Sequence, residues 1–185
     1  PVAAGYFEAA VDAVIRFART DAARFRLRDS LRAQALSALI PRHGSAYIEA
    51  GLMHYRLWRH LRDRLGHHAW VRPVFTADTA LKRLGEKGHL YGPGDRLTLL
   101  YIFHPAFSDP ELEKLLAARS MIYSKILEKQ ESDGEEAHFP HLRDELACIR
   151  ATQHLSIDDC RQLFARMRRA GTLQARRTLA RFGAA

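Results

Sequence analysis

The feature that most constrains the fold is a change of hydrophobic period in the first half of the chain. Helix-like spacing stops before Gly44, and a short run with aromatic and β-branched residues follows at residues 45–50. A helical stripe of leucines then runs to Gly66, and a second short run of the same type occupies residues 70–75. A strand, a crossover helix and a second strand form a βαβ unit whose strands lie parallel. This region therefore predicts an α/β fold.

The rest of the chain has the three- and four-residue spacing of amphipathic helices. Asp21 is a candidate cap for a second N-terminal helix, and Asp109 followed by Pro110 marks the start of a long one. Ser156 with Asp159 three residues later resembles a capping box at the start of another helix. Residues 95–103 also fit a buried strand, although a helix is favoured. The predicted helices cover residues 6–19, 21–40, 52–65, 76–84, 95–103, 109–131, 140–153, 156–170 and 172–182.

We therefore expect a helix-dominated α/β protein in which N-terminal helices precede the small parallel βαβ unit. Residues 1–84 form a partial α/β unit in this interpretation, and residues 85–185 form a helical extension that packs on it. A chain of 185 residues with 47% apolar residues has enough material for one folded domain with an appendage.

Composition excludes several classes of protein. The two cysteines, Cys148 and Cys160, form neither a disulfide framework nor a CxxC metal pair. The longest apolar run, residues 97–103, is too short to be a transmembrane segment. A cytoplasmic location is the expectation, but the lack of an initiator methionine leaves open that a targeting segment precedes Pro1.

The net charge of +8 is unevenly distributed along the chain. Residues 105–147 carry a net charge of −5 and separate two basic blocks of +7 and +6. The basic tail is suited to an acidic partner, a membrane surface or RNA, and it is equally suited to the acidic block of the same chain. Few aromatic side chains lie near it for stacking on bases, so nucleic acid is the less expected partner. Its arginines are Arg166, Arg168, Arg169, Arg176, Arg177 and Arg181.

Three residues around the end of the first predicted strand are candidates for a site. Open α/β sheets bind ligands in the crevice beyond the carboxyl ends of their strands. Glu49 lies near that end, Gly51 allows a tight strand-to-helix turn, and His54 falls in the first turn of the next helix. A carboxylate and an imidazole there suit proton transfer or metal binding, with His54 as the metal ligand. His89, among the glycines of residues 85–94, is a further candidate ligand-binding residue.

Residues 25–76 resemble a known family. An Arg28-Asp29 pair in a helix, a predicted strand leading into Gly51-x-x-His54, an amphipathic helix and Val71-Arg-Pro-Val74 follow one another. This order resembles the later part of the EreA/ChaN-like superfamily, which includes TraB-type proteins. The resemblance implies that Arg28 with Asp29, and Gly51 with His54, belong to the site.

The members of that superfamily include metal-dependent hydrolases or proteases, an erythromycin esterase and a haem-binding lipoprotein. The resemblance implies the later part of a hydrolase-like domain that binds a small ligand or peptide, with a divalent metal or haem as the possible cofactor. Arg28 would hold an anionic group. The family also carries an earlier Gly-x-x-His, which this sequence lacks before Arg28, so enzymatic activity depends on an upstream half.

Two alternatives require no catalysis. In the first alternative, the chain is a helical interaction module whose basic tail binds an acidic partner, a membrane surface or RNA. It could also form a homo-oligomer through the helix at residues 109–131, whose apolar residues make a broad stripe. That stripe comprises Leu112, Leu115, Leu116, Ile122 and Ile126.

Overall fold

The computed structural model describes residues 2–87, 89–129 and 139–183, in which every regular element is a helix. A short 3₁₀ turn, Ile40–Arg42, follows the first helix. The α-helices are α1 Val2–Leu39, α2 Tyr55–Leu65, α3 Thr76–Arg83, α4 Pro93–Phe103, α5 Pro110–Ile126, α6 Pro140–Thr152, α7 Ile157–Met167 and α8 Thr172–Phe182.

The prediction of a parallel βαβ unit, and with it the α/β fold class, is wrong. Residues 45–50 and 70–75 belong to no regular element, and neither segment pairs with another as a strand within the described ranges. Ile48 and Val71 instead pack against the small core between α1 and α2, while Tyr47 is 90% exposed. Burial alternates along residues 70–75, whereas Ile48 is the one partly buried residue of 45–50. A short run with aromatic and β-branched residues therefore does not require a strand partner, because helices can cover it.

The N-terminal region is one helix rather than two. Asp21 was predicted to cap a second helix, but it lies inside α1 and pairs with Arg24 one turn later, 3.1 Å away. No glycine or proline interrupts residues 6–40, and Ala18 and Ala22 on either side of the proposed break are buried in the core. Packing of this face therefore outweighs the local capping signal.

Two apolar clusters hold the helices together. The larger one combines the N-terminal half of α1 with α4, α5, α6, α7 and α8, and the fully buried side chains of Phe7, Leu97, Ile122 and Leu163 are among its members. The smaller one joins the C-terminal half of α1 to the leucine stripe of α2 through Ala33. Helix α1 therefore contacts both the N-terminal and the C-terminal parts of the chain.

The apolar stripe predicted to mediate oligomerisation on residues 109–131 lies inside the chain. Leu116, Ile122 and Ile126 of α5 are buried, and Leu112 packs against the same core. Helix α1 carries four large apolar side chains that are each more than half exposed. They are Tyr6, Phe17, Leu27 and Leu31. An apolar surface is therefore exposed along α1, whereas α5 is used for internal packing.

The capping signals located the other helices well. The Asp109 carboxylate accepts a hydrogen bond from Leu112 N at 3.1 Å, as predicted for the start of α5. Ser156 and Asp159 form the reciprocal capping box of α7. Helix α5 ends at Ile126, five residues before the predicted end, and the Ile126 carbonyl accepts a hydrogen bond from Arg176 Nε at 2.6 Å. No described helix is both long and apolar enough to cross a bilayer.

The end of α4 fixes the position of α2. Arg26 of α1 donates to the Tyr101 carbonyl at 2.6 Å, and Arg56 of α2 donates to the Ile102 carbonyl at 3.2 Å. These carbonyls lie in the last turn of α4, where helical acceptors lack backbone partners and where cations are favoured. The N-terminus of α2 is thereby held against α1.

Candidate functional site

The candidate site lies where the N-terminus of α2 meets the middle of α1. His54 is the N-cap residue of α2, but its side chain does not cap that helix. The His54 side chain is 10% exposed and its Nδ1 is hydrogen-bonded to Asp29 Oδ1, while the Asp29 side chain is completely buried. A carboxylate in α1 therefore binds the imidazole that begins α2.

Asp29 also supplies the cap that α2 otherwise lacks. Its second oxygen, Oδ2, accepts a hydrogen bond from the backbone N–H of Leu57 at 3.1 Å. Leu57 is the third residue of α2, where a capping acceptor normally binds. One buried carboxylate thus satisfies the helix terminus and holds the imidazole, and its negative charge is favourable at the positive end of the helix dipole.

This pairing determines which imidazole nitrogen is available. A carboxylate only accepts hydrogen bonds, so this pairing favours the tautomer of the neutral ring that has the proton on Nδ1 and the lone pair on Nε2. Arg32 Nη1 lies 3.4 Å from Nε2, and the edge-on ring of Phe25 lies 5.0 Å from the imidazole between centroids. The basic nitrogen of His54 therefore faces an exposed guanidinium.

The structure brings only some of the predicted site residues together. Arg28 is exposed on α1, one turn before Arg32. Glu49 is exposed and makes no hydrogen bond or ion pair with the described part of the chain. His89 belongs to another cluster, in which its Nδ1 lies 3.1 Å from Asp78 Oδ1.

Gly51 contributes a turn to the site. Its carbonyl accepts a hydrogen bond from His54 N at 3.1 Å. A Cβ atom at residue 51 would make only an ordinary contact with His54 Cδ2, at 3.7 Å, and Gly51 is not among the glycines with positive φ. The turn therefore does not depend on the conformational freedom that the sequence analysis assigned to this glycine.

Arg32 and Phe25 were missed by the sequence analysis. Both lie on the α1 face that carries Asp29, at spacings of three and four residues from it. Once Arg28 and Asp29 are placed in a continuous helix, that spacing is enough to identify them as neighbours of the same site.

The donors around His54 do not by themselves form a metal centre. Within residues 2–87, 89–129 and 139–183 no group of three or more histidine, cysteine or carboxylate side chains is arranged to hold an ion. Asp29 already binds Nδ1 and Leu57 N, and a guanidinium lies beside Nε2, where it would repel a cation. Two grooves of the described surface are formed by residues of α6, α7 and α8 and do not include His54, so they provide no haem pocket beside it.

A second polar cluster lies between α4, α5 and α6. Tyr123 donates a hydrogen bond to Glu145 Oε1 at 3.0 Å, and Asp95 accepts one from Gly92 N at 3.0 Å. Burial raises the pKa of Glu145, which the Tyr123 hydrogen bond opposes, and nearby Asp95 and Asp144 raise the pKa further. Burial likewise raises the pKa of Asp95.

This cluster predicts a measurable effect of pH. A carboxyl whose folded-state pKa lies above its unfolded value stabilises the fold fully below the unfolded pKa of about 4.3, and that stabilisation is lost as the pH rises through the folded pKa. We expect Glu145→Gln, which keeps the acceptor for Tyr123, to melt at a higher temperature than the wild type at pH 7. The difference should close at about pH 4 in thermal unfolding followed by circular dichroism.

The control for this prediction is Glu49→Gln, which removes one exposed carboxylate without a described partner. It should change the melting temperature little at either pH. If Glu145→Gln lowered the melting temperature at pH 7, the Glu145 carboxylate would be stabilising and the pKa direction would be incorrect.

Comparison with known proteins gives one relative of unassigned role. The chain is 34% identical, over 161 residues, to an uncharacterized protein of Archaeoglobus fulgidus. The match covers 86% of this chain and 53% of that protein, so the chain spans about half the length of the curated relative it matches. No family model matches the sequence, and no solved structure matches it.

Proposed function

We propose that His54 is the acid/base residue of a hydrolytic site, and that this chain contributes one part of that site. The observation that supports it most is the buried Asp29 carboxylate at Nδ1 of a nearly buried His54. A carboxylate in this position orients the imidazole and stabilises the imidazolium that forms when Nε2 takes a proton.

Arg32 is the residue that orients the substrate in this proposal. Its exposed guanidinium lies beside Nε2, and Arg28 lies one turn away on the same helix. Guanidinium groups bind carboxylates and phosphates through paired hydrogen bonds, so the substrate is an ester or amide with an anionic group near the scissile bond. The same positive charge disfavours a metal ion at Nε2.

The reaction follows from these roles. Nε2 accepts a proton from water as the water oxygen attacks the carbonyl carbon, and the resulting imidazolium returns that proton to the leaving group. Of the resemblance to EreA/ChaN-like proteins, which include an erythromycin esterase, only the Arg28-Asp29 pair and Gly51-x-x-His54 remain, since the predicted strands beside them do not form in the described residues. The hydrolytic reaction is therefore proposed mainly from the pairing of Asp29 with His54. The remaining groups of the site, above all those that bind the oxyanion, are then expected from the rest of a longer chain, in keeping with the greater length of the relative.

The proposal is tested by measuring how fast the full-length protein hydrolyses two 4-nitrophenyl esters. 4-Nitrophenyl succinate carries a carboxylate and 4-nitrophenyl acetate does not. We expect His54→Gln to lower kcat/KM by about 100-fold or more on both esters, because general acid/base catalysis is lost. Arg32→Gln should raise KM for the succinate ester and leave KM for the acetate ester nearly unchanged.

The matched control is His67→Gln, since His67 is an exposed histidine in the turn after α2. It should retain the kcat/KM of the wild type on both esters. Turnover that survives His54→Gln would contradict the proposal, as would equal effects of Arg32→Gln on the charged and the neutral ester.

A further inference from the structure

The two C-terminal helices form an open groove lined by arginines. It has a volume of about 730 Å³ and lies along α8 and the end of α7. Arg177 and Arg181 of α8 and Arg166 of α7 line it, and no acidic side chain does. The groove therefore carries three formal positive charges from two helices.

The sequence of α8 separates a groove face from a core face. Gln174, Arg177, Thr178 and Arg181 follow the spacing of one helical face, and all four line the groove. On the opposite side Ala175 is completely buried, and Leu179 and Phe182 pack against the main core. The arginines of the groove are thus presented by a helix whose other face fixes its position.

Polar contacts hold this helix in place. Arg176 binds Asp144 with Nη2–Oδ distances of 2.6 and 2.7 Å. Lys125 of α5 donates to the Ala170 carbonyl, just before α8, at 3.1 Å. The Arg166 guanidinium lies 5.4 Å from the centre of the Phe182 ring, a cation–π contact that restricts its position.

The arginines of the C-terminal region divide into two groups. Arg161 and Arg176 form ion pairs with carboxylates of this chain. Arg166, Arg168, Arg169, Arg177 and Arg181 have no carboxylate partner within the described ranges, and three of them, Arg166, Arg177 and Arg181, line the groove. Like charges four residues apart on a helix, as at Arg177 and Arg181, destabilise it slightly, so an anion between them would relieve a cost that the fold leaves uncompensated.

We propose that this groove binds a small phosphorylated ligand. Its volume lies in the range of small-molecule sites, and three guanidinium groups match the oxygens of a phosphate or pyrophosphate. Leu173, which is 64% exposed at the groove, offers a contact for an apolar part of the ligand. Stacking platforms for single-stranded nucleic acid are few here, since Phe182 is already covered by Arg166. The site is separate from the surface around His54 and does not depend on the proposed hydrolysis.

The test is isothermal titration of the protein with inorganic pyrophosphate. We expect binding of one pyrophosphate per chain, and an affinity at least tenfold lower in the double variant Arg177→Gln, Arg181→Gln. The control is the double variant Arg64→Gln, Arg83→Gln, which removes the same charge from exposed positions on α2 and α3. It should bind pyrophosphate within about twofold of the wild type, and circular dichroism should show both variants folded.

Three results would overturn the proposal. One is no binding of pyrophosphate to the wild type, and another is an equal loss of affinity in both double variants, which would indicate net charge alone. The third distinguishes the source of the phosphate. If vesicles with phosphatidic acid or a 12-nucleotide RNA bound through Arg177 and Arg181 while pyrophosphate did not, the groove would serve a membrane or a nucleic acid instead.

Discussion

Replacing Asp29 with alanine is expected to lower the free energy of unfolding by about 2 to 4 kcal/mol. The side chain is completely buried and accepts from His54 Nδ1 and Leu57 N, so its removal leaves two donors without partners in the interior. Each buried donor without a partner costs about 1 to 2 kcal/mol. Urea unfolding followed by circular dichroism measures the loss.

The matched variant is Asp29→Asn, which keeps the shape of the side chain. Its amide oxygen can accept from Leu57 N, and its NH₂ group can donate to His54 Nδ1 if the imidazole moves its proton to Nε2. We expect it to cost less than about 1 kcal/mol, since both hydrogen bonds are retained. A loss as large as that of Asp29→Ala would indicate that the negative charge at the helix terminus, and not the hydrogen bonds, stabilises this contact.

Replacing Leu163 with alanine is expected to cost about 2 to 5 kcal/mol. Leu163 of α7 has no exposed surface and belongs to the core shared with α1, α4 and α5. The truncation leaves a cavity among groups that can close in only partly. Leu173→Ala is the control, because this leucine of α8 is 64% exposed and should lose little stability.

Leu163→Ala also tests whether residues 1–84 and 85–185 unfold together or as independent units. Trp58 and Trp70 lie in and just after α2, far along the chain from Leu163, and their fluorescence reports the N-terminal part. Because α1 contacts both parts of the chain, we expect fluorescence and circular dichroism to give coincident transitions at the same lower urea concentration. A fluorescence midpoint unchanged by Leu163→Ala would favour independent units over residues 1–84 and 85–185.

The helices were largely predictable because their boundaries are encoded locally. Asp109 and the Ser156 capping box each act within one turn, so the sequence alone identifies the starts of α5 and α7. The end of α5 was not predictable, since the Ile126 carbonyl is bound by Arg176, 50 residues away. Local sequence signals thus identify the start of a helix better than an end whose carbonyl groups bind residues far away in the sequence.

The prediction of two strands was wrong for a related reason. The aromatic and β-branched residues at 45–50 and 70–75 favour partly buried extended segments, but this composition does not specify what covers them. Here helices α1 and α2 cover Ile48 and Val71. His54 was predicted to lie in the first turn of a helix over residues 52–65, but α2 begins at Tyr55 and His54 is its N-cap residue.

The partner of His54 could be reached from sequence only through the family resemblance. Asp29 entered the candidate site as the neighbour of Arg28, and the structure places its carboxylate at Nδ1. Glu49, which lies closer in sequence, is exposed instead. Proximity in sequence is a poor guide here because Asp29 and His54 lie on separate helices, 25 residues apart.

The most direct test of this account is the imidazole tautomer of His54, read from a long-range ¹H–¹⁵N correlation spectrum near neutral pH. The account predicts that the neutral form of the ring carries its proton on Nδ1 in the wild type and on Nε2 in Asp29→Asn. His54→Gln assigns the signals by removing them. A wild-type ring that carries its proton on Nε2 would contradict the account, because His54 would then have no basic nitrogen facing Arg32.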